Sequence, residues 1–236
     1  MLGIRLIMLG LAALVASIAV GAFASAAASA HRFVDCLKVA AGSKGTYEES
    51  KCEKAKTGGE WEKYEVAGTG SGTGGITKLK TELFKAEVII SCKKATFKVE
   101  LEKEGASQGE VDFEECSIGN SKETFTSCAV PDIKFKLRGQ LFAEGEEINI
   151  EFKPFTGEIF VEIVIQNKAE KTCIEKGHYP VAGTQACRFP EGRQFEVTHR
   201  IECVPSGSHM TFAGNPATFE GSRSIGTSAN DSWAVE

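Results

Sequence analysis

The chain has 236 residues, 42% of them hydrophobic, and 27 Lys and Arg against 32 Asp and Glu give a formal net charge of −5. That length supports one large domain with a proper apolar core. Lys and Glu are interleaved rather than blocked, which excludes both the basic footprint of nucleic-acid binding and the polybasic patch that anionic lipid attracts.

The chain opens with a single charge, Arg5, then an apolar run from Leu6 to Ala24, then small residues ending Ala28-Ser29-Ala30. This is the charged, apolar and small-residue succession of a secretory signal peptide. Cleavage is predicted after Ala30, with Ala26 as the second site. The run approaches spanning length, so retention as an anchor is the competing reading. Its glycines and alanines make it weakly apolar, and no second stretch is long enough to span. The predicted product is a secreted or cell-surface protein with no membrane span after signal cleavage.

Residues 31–67 read as a small N-terminal unit bounded by Cys36 and Cys52. Trp61 and Tyr64 in it could form a small exposed aromatic platform; packing against the Cys36–Cys52 loop is the expected role. The stretch "GTGSGTGG" follows, and residues 68–76 read as a flexible Gly/Ser/Thr linker. Gly70 to Gly75 formally match the G-x-G-x-x-G nucleotide fingerprint. No helix start follows them, so that reading is set aside.

Residues 77–236 alternate apolar and polar with a period of two. Phe97, Val99 and Leu101 share one face, as do Ile133, Phe135 and Leu137, and Ile148, Ile150 and Phe152. Ile159, Val161, Ile163 and Ile165 line up, as do Phe195, Val197, Ile201 and Cys203. Such segments are half-buried strands. Gly, Asn and Pro punctuate them at hairpin spacing. The predicted fold class is all-β: an antiparallel sandwich or barrel of many short strands, with the small disulfide-bounded unit at its N-terminus.

All eight cysteines, Cys36, Cys52, Cys92, Cys116, Cys128, Cys173, Cys187 and Cys203, lie beyond the cleavage site. An even count on an exported chain predicts structural disulfides. Cys36 with Cys52 bounds the N-terminal unit. Cys116 with Cys128 and Cys173 with Cys187 each look symmetric about a turn, which leaves Cys92 with Cys203. The rival is Cys92 with Cys116. Segments "GTYEESKC" and "GEVDFEEC" echo one another, each running from a glycine to a cysteine.

Signals for chemistry are sparse. Cys173, His178, Cys187, His199 and Cys203 lie near one another in sequence and include soft ligands, but the chain has no C-x-x-C pair of the kind zinc or thioredoxin-like chemistry uses. No metal site and no cofactor are predicted. Neither G-x-S-x-G nor H-E-x-x-H occurs. His199 sits at inward parity and could serve as a general base in a barrel mouth; a hydrogen-bonded core histidine is the expected role. Glu158 and Glu162 could pair as glycosidase acids, but carboxylates on a solvated strand face are ordinary. No catalytic residue is predicted.

"GTYEESKC", "TKLKTELFKAEVIISC", "FEECSIG" and "PSGSHMTFAGNPATFEG" resemble stretches of exported, uncharacterised, β-rich, cysteine-containing proteins of soil actinobacteria. The resemblance spans most of the chain beyond the signal. It implies export and β structure and brings no catalytic residue with it. The function expected from the sequence is non-enzymatic: a structural or binding role at or outside the cell surface, toward an extracellular or cell-wall partner. The alternatives are a lipocalin-like barrel carrying a small apolar ligand and a secreted hydrolase. An open lumen would favour the carrier, and a lumen filled by Phe and Ile would favour the structural protein.

Overall fold

The structure, a computed structural model, describes residues 31–236. The predicted signal segment, residues 1–30, lies outside the described residues. The fold is all-β and antiparallel, in two sheets. Four short strands come first: β1 (Phe33–Lys38), β2 (Gly45–Tyr47), β3 (Ala55–Gly59) and β4 (Trp61–Glu65). They are followed by β5 (Gly68–Gly74), β6 (Thr77–Leu83), β7 (Ala86–Leu101), β8 (Ala106–Gly119), β9 (Cys128–Ala129), β10 (Ile133–Glu144), β11 (Glu147–Pro154), β12 (Ile159–Asn167), β13 (Gly177–Arg188), β14 (Thr198–Phe212) and β15 (Asn215–Thr227), and last by β16 (Trp233–Val235).

The choice between sandwich and barrel is made by pairing. β5 and β6 are one stave, because their register against β7 is continuous: Gly74 lies opposite Ala95 and Thr77 opposite Cys92. β11 and β12 likewise share a stave, pairing with the second and first halves of β13. From β5–β6 the ring runs through β7, β8, β10, β11–β12, β13, β14 and β15, and β15 pairs back onto β5 and β6. Each stave therefore neighbours the ones before and after it in sequence, an up-and-down barrel of eight positions. Eight strands leave an interior just wide enough for side chains or one small ligand.

Residues 68–76, predicted as a linker, are instead mostly strand. Thr69, Ser71 and Thr73 point outward, while Gly70, Gly72 and Gly74 point into the barrel. The glycines are there for space. A Cβ on Gly72 would stand 2.2 Å from the Phe97 ring, and one on Gly74 would stand 3.0 Å from Cγ of Arg223. Residues without side chains on this stave make room for two bulky ones opposite. Gly72→Val is expected to cost about 1–3 kcal/mol of stability by overpacking, whereas a flexible linker would tolerate it; a urea titration distinguishes the two.

Period two breaks where staves bulge. On β7, Val88, Ile90 and Cys92 point inward, then Lys93 and Lys94 both face solvent, and Ala95, Phe97 and Leu101 resume the inward face. Both lysines pair with Glu115 on β8, a non-glycine residue at φ 54°. On β12 a register shift between Ile159 and Val161 turns Ile159 outward, 53% exposed, and buries Phe160 in its place. The predicted alignment of Ile159 with Ile163 and Ile165 is thus broken by a bulge, which changes which face the residues beyond it occupy.

The segment predicted as the N-terminal unit lies in a separate five-stranded sheet. Its sheet has the order β16-β1-β4-β2-β3, so the last strand of the chain joins the first. The β domain predicted to run to residue 236 ends with β15. The five-stranded sheet covers the barrel end that carries the β7–β8 turn, the β10–β11 turn and the 189–197 loop. Phe33 and Trp233 pack there with ring centres 5.9 Å apart, and Phe189 meets Trp233 at 6.3 Å.

Cys36 and Cys52 are bridged as predicted, and the other three pairings differ: Cys92–Cys116, Cys128–Cys173 and Cys187–Cys203. The rival pairing of Cys92 with Cys116 is the one that forms. Cys92 and Cys116 lie directly opposite on β7 and β8, and Cys187 and Cys203 directly opposite on β13 and β14. Cys116 and Cys128 do not flank a hairpin, because Asn120 turns the chain after β8, its Oδ1 accepting from the Lys122 and Glu123 amides. Cys128 is carried to the 168–176 loop, where β9 pairs with the end of β12. Non-reducing peptide mapping should recover these four cross-links. Replacing Cys128 and Cys173 together by alanine should lower the unfolding free energy by about 4 kcal/mol, the value for a loop of this span, read by denaturant titration.

Candidate binding cavity

The barrel interior is lined by alternate residues of every stave. Two cavities remain among these side chains. One, of about 70 Å³, lies between Ile90, Phe113, Phe135, Phe160, Ile163 and Arg223. The other, of about 40 Å³, lies between Phe97, Val99, Phe152, Phe189, Ile201 and Arg223. Arg223, Leu137 and Phe152 line both. Larger hollows of 430 to 500 Å³ occur on the outside. Their linings mix lysine, arginine and glutamate without a convergent group.

Arg223 is the charged residue of this interior. On β15 the inward positions read Ala217, Phe219, Gly221, Arg223 and Ile225, and Arg223 is 8% exposed. Its guanidinium lies over three ring faces: Phe113 at 5.1 Å, Phe219 at 5.4 Å and Phe97 at 5.8 Å. Among the described residues it has no carboxylate partner within ion-pair distance, and its Nε is a buried donor with no hydrogen bond. Burial lowers its pKa to about 10, so it stays charged at neutral pH. Gln185 on β13 borders the larger cavity. Its Nε2 donates to the Ala186 and Val204 carbonyls, and its Oε1 is unpartnered.

The residues singled out from the sequence fall elsewhere. His199 is 2% exposed, its Nε2 lies 2.6 Å from the Trp233 carbonyl oxygen, and its ring meets the Trp233 indole edge-on at 4.2 Å. Burial holds its pKa below the usual value. It fastens the barrel to the end sheet, and among the described residues no nucleophile or carboxylate is in hydrogen-bond contact with it. Glu158 and Glu162 are exposed on the outer side, and Glu162 faces His178 Nδ1 at 3.3 Å. The proposed soft-ligand group does not converge: Cys173, Cys187 and Cys203 are in two separate bridges. Cys128, Cys173 and Glu175 do come together, with Glu175 Oε2 3.3 Å from Cys128 Sγ. Both sulfurs there are tied to each other, and a disulfide sulfur is not the thiolate that binds metal. Trp61 packs against the cluster of Val34, Cys36, Cys52, Phe195 and Ala234, while Tyr64 is 47% exposed.

Arg223 was not found by sequence reasoning, though a signal was present. In "TFEGSRSIG" it stands at the same parity as Phe219 and Ile225, which marks an arginine aimed inward. No protein-family model, curated protein or solved structure matches this chain.

The end sheet holds a second perturbed group. Asp35 on β1 has its pKa raised from 3.8 to about 6, first by burial and then by the neighbouring Asp231. A raised carboxyl pKa means that the folded state binds the proton more tightly than the unfolded state. Its contribution to stability is therefore full below about pH 4 and is lost as pH rises through about 6. Asp35→Asn removes that loss. The variant should melt higher than the wild type at pH 7, with the gap closing toward pH 4 in paired thermal scans.

Proposed function

We propose that this protein is a non-enzymatic binding protein that acts outside the cytoplasm and takes a compact apolar molecule into its barrel. The observation that carries the reading is a closed ring of staves around an apolar lumen that still contains free volume. Small-molecule sites have this character: enclosed, mostly hydrophobic, with few polar groups. Four disulfides among the described residues are typical of extracellular proteins and support the location. The polarity of the wall argues for a soluble carrier: Lys98, Glu110, Lys134 and Arg138 face outward and Phe97, Val111, Ile133 and Leu137 inward. A barrel that crosses a membrane carries the opposite arrangement. Among the described residues no helix is long and apolar enough to cross one. The engagement of His199 with Trp233 and the outward placement of Glu158 and Glu162 support a role without catalysis.

The free volume is modest, which sets the occupant's size. A cavity of about 150 Å³ is what benzene fills, so cavities of about 70 and 40 Å³ suit an occupant of only a few non-hydrogen atoms. Xenon, which needs no polar partner, is the test. Methyl resonances of Ile90, Ile163 and Val181 should shift saturably with xenon pressure. If they do not, the lumen is a filled core and any binding belongs to the outer surface.

A further inference from the structure

We infer that the lumen takes a small monocarboxylate with a compact apolar body, its carboxylate held by the Arg223 guanidinium. The inference rests on the lumen-binding reading above and adds the ligand's charge and head group. Three observations carry it. The first is a lone cation in an apolar interior: Arg223 is buried, with no carboxylate in reach among the described residues and an unpartnered Nε. Residues 1–30 contain neither Asp nor Glu, so that segment holds no counter-charge either. The second is free volume beside this residue: Arg223 lines both cavities. The third is the staves themselves: Gly72 and Gly74 clear the space that Phe97 and Arg223 occupy, so the strand pattern accommodates this arginine rather than tolerating it at an edge.

The physical argument runs from cost to complement. An isolated buried cation is expensive. The three ring faces offset part of that cost, but they act on the face of the guanidinium. Its in-plane N–H donors need acceptors, and the Nε–H has none. A carboxylate matches the planar fork with two parallel hydrogen bonds. In an enclosed lumen such a pair is screened far less than in water. The apolar lining favours a short hydrocarbon body over a second polar group. Acetate and propionate are the acids that suit cavities of about 70 and 40 Å³.

The test compares each acid with its neutral counterpart on the intact disulfide-bonded protein. Propionate should bind at least about tenfold more tightly than 1-propanol, the margin of one charge-assisted hydrogen-bonded pair, and acetate likewise more tightly than ethanol. Calorimetry gives the affinities. The Arg223 Nε–H resonance should shift on adding propionate and stay in place with chloride. Arg223→Met should abolish the preference for the acids while keeping the binding of the alcohols. Equal affinity for acid and alcohol overturns the inference and leaves the lumen reading standing. An equal response to chloride also overturns it. Should neither acid, alcohol nor xenon bind, the lumen reading itself falls. Where Arg223→Met does not fold, the wild-type resonance decides: an Nε–H unmoved by saturating propionate overturns the assignment.

Discussion

A β-sheet that closes on itself has no free edge, but it must then fill its own interior, and that requirement governs this protein. Closure runs through β15, which pairs with β5 at one level and with β6 at another. Were β5 lined with ordinary inward side chains, Phe97 could not lie where it does, and neither could Arg223. The glycines of "GTGSGTGG" are therefore the condition for a closed ring with large aromatics inside it. They weaken the strand locally, because glycine loses the most backbone entropy on ordering. Pairing on both sides, with β7 and with β15, compensates.

Closure leaves two open ends, and the chain treats them differently. One end is crossed by the five-stranded sheet, where Phe33, Trp233, Phe189 and His199 form a single contact between sheet and barrel. Because β1 pairs with β16, about two hundred residues later in the chain, that lid forms only when both segments have arrived. At the other end, the Cys128–Cys173 bridge ties the 120–132 loop to the 168–176 loop. The tight turns there, such as Phe84-Lys85 with φ of 51° and 66°, are two-residue connections whose twist matches the strands. The remaining bridges join neighbouring staves or close the N-terminal unit. Three of the four thus reinforce local contacts, and Cys128–Cys173 joins the two longer loops.

Electrostatics divides along the same wall. The outside carries interleaved Lys and Glu, many in cross-strand pairs whose exposure keeps their contribution small. The inside carries Arg223 among aromatic faces. A charge that would matter little on the outer surface sets the chemistry of the whole cavity when it is the buried one. Gln185, Arg223 and Ser107 leave polar atoms without partners in a lumen lined mostly by hydrocarbon, and unpaired buried groups are where a folded protein can still gain free energy from a ligand.

The sequence by itself determined the class of this fold and the face of most residues. Alternation in "TFKVELEK", "IKFKLRG" and "EINIEFK" is a local property, fixed by the pleat, and those residues point as the pattern says. An even set of cysteines on a chain with a predicted export signal likewise foretold that all would be bridged. Tertiary structure decided the rest. Which cysteines meet depends on cross-strand register, a relation between distant residues that symmetry about a turn does not capture. Whether "GTGSGTGG" is tether or strand depends on the partners that supply its ladder bonds and on the bulk of Phe97 opposite. The outward turn of Ile159 depends on a bulge set by β13. Above all, the sequence shows only that Arg223 shares a strand face with Phe219 and Ile225; closure of the ring is what takes it out of water, because a sheet has an inside only after its first and last staves have paired.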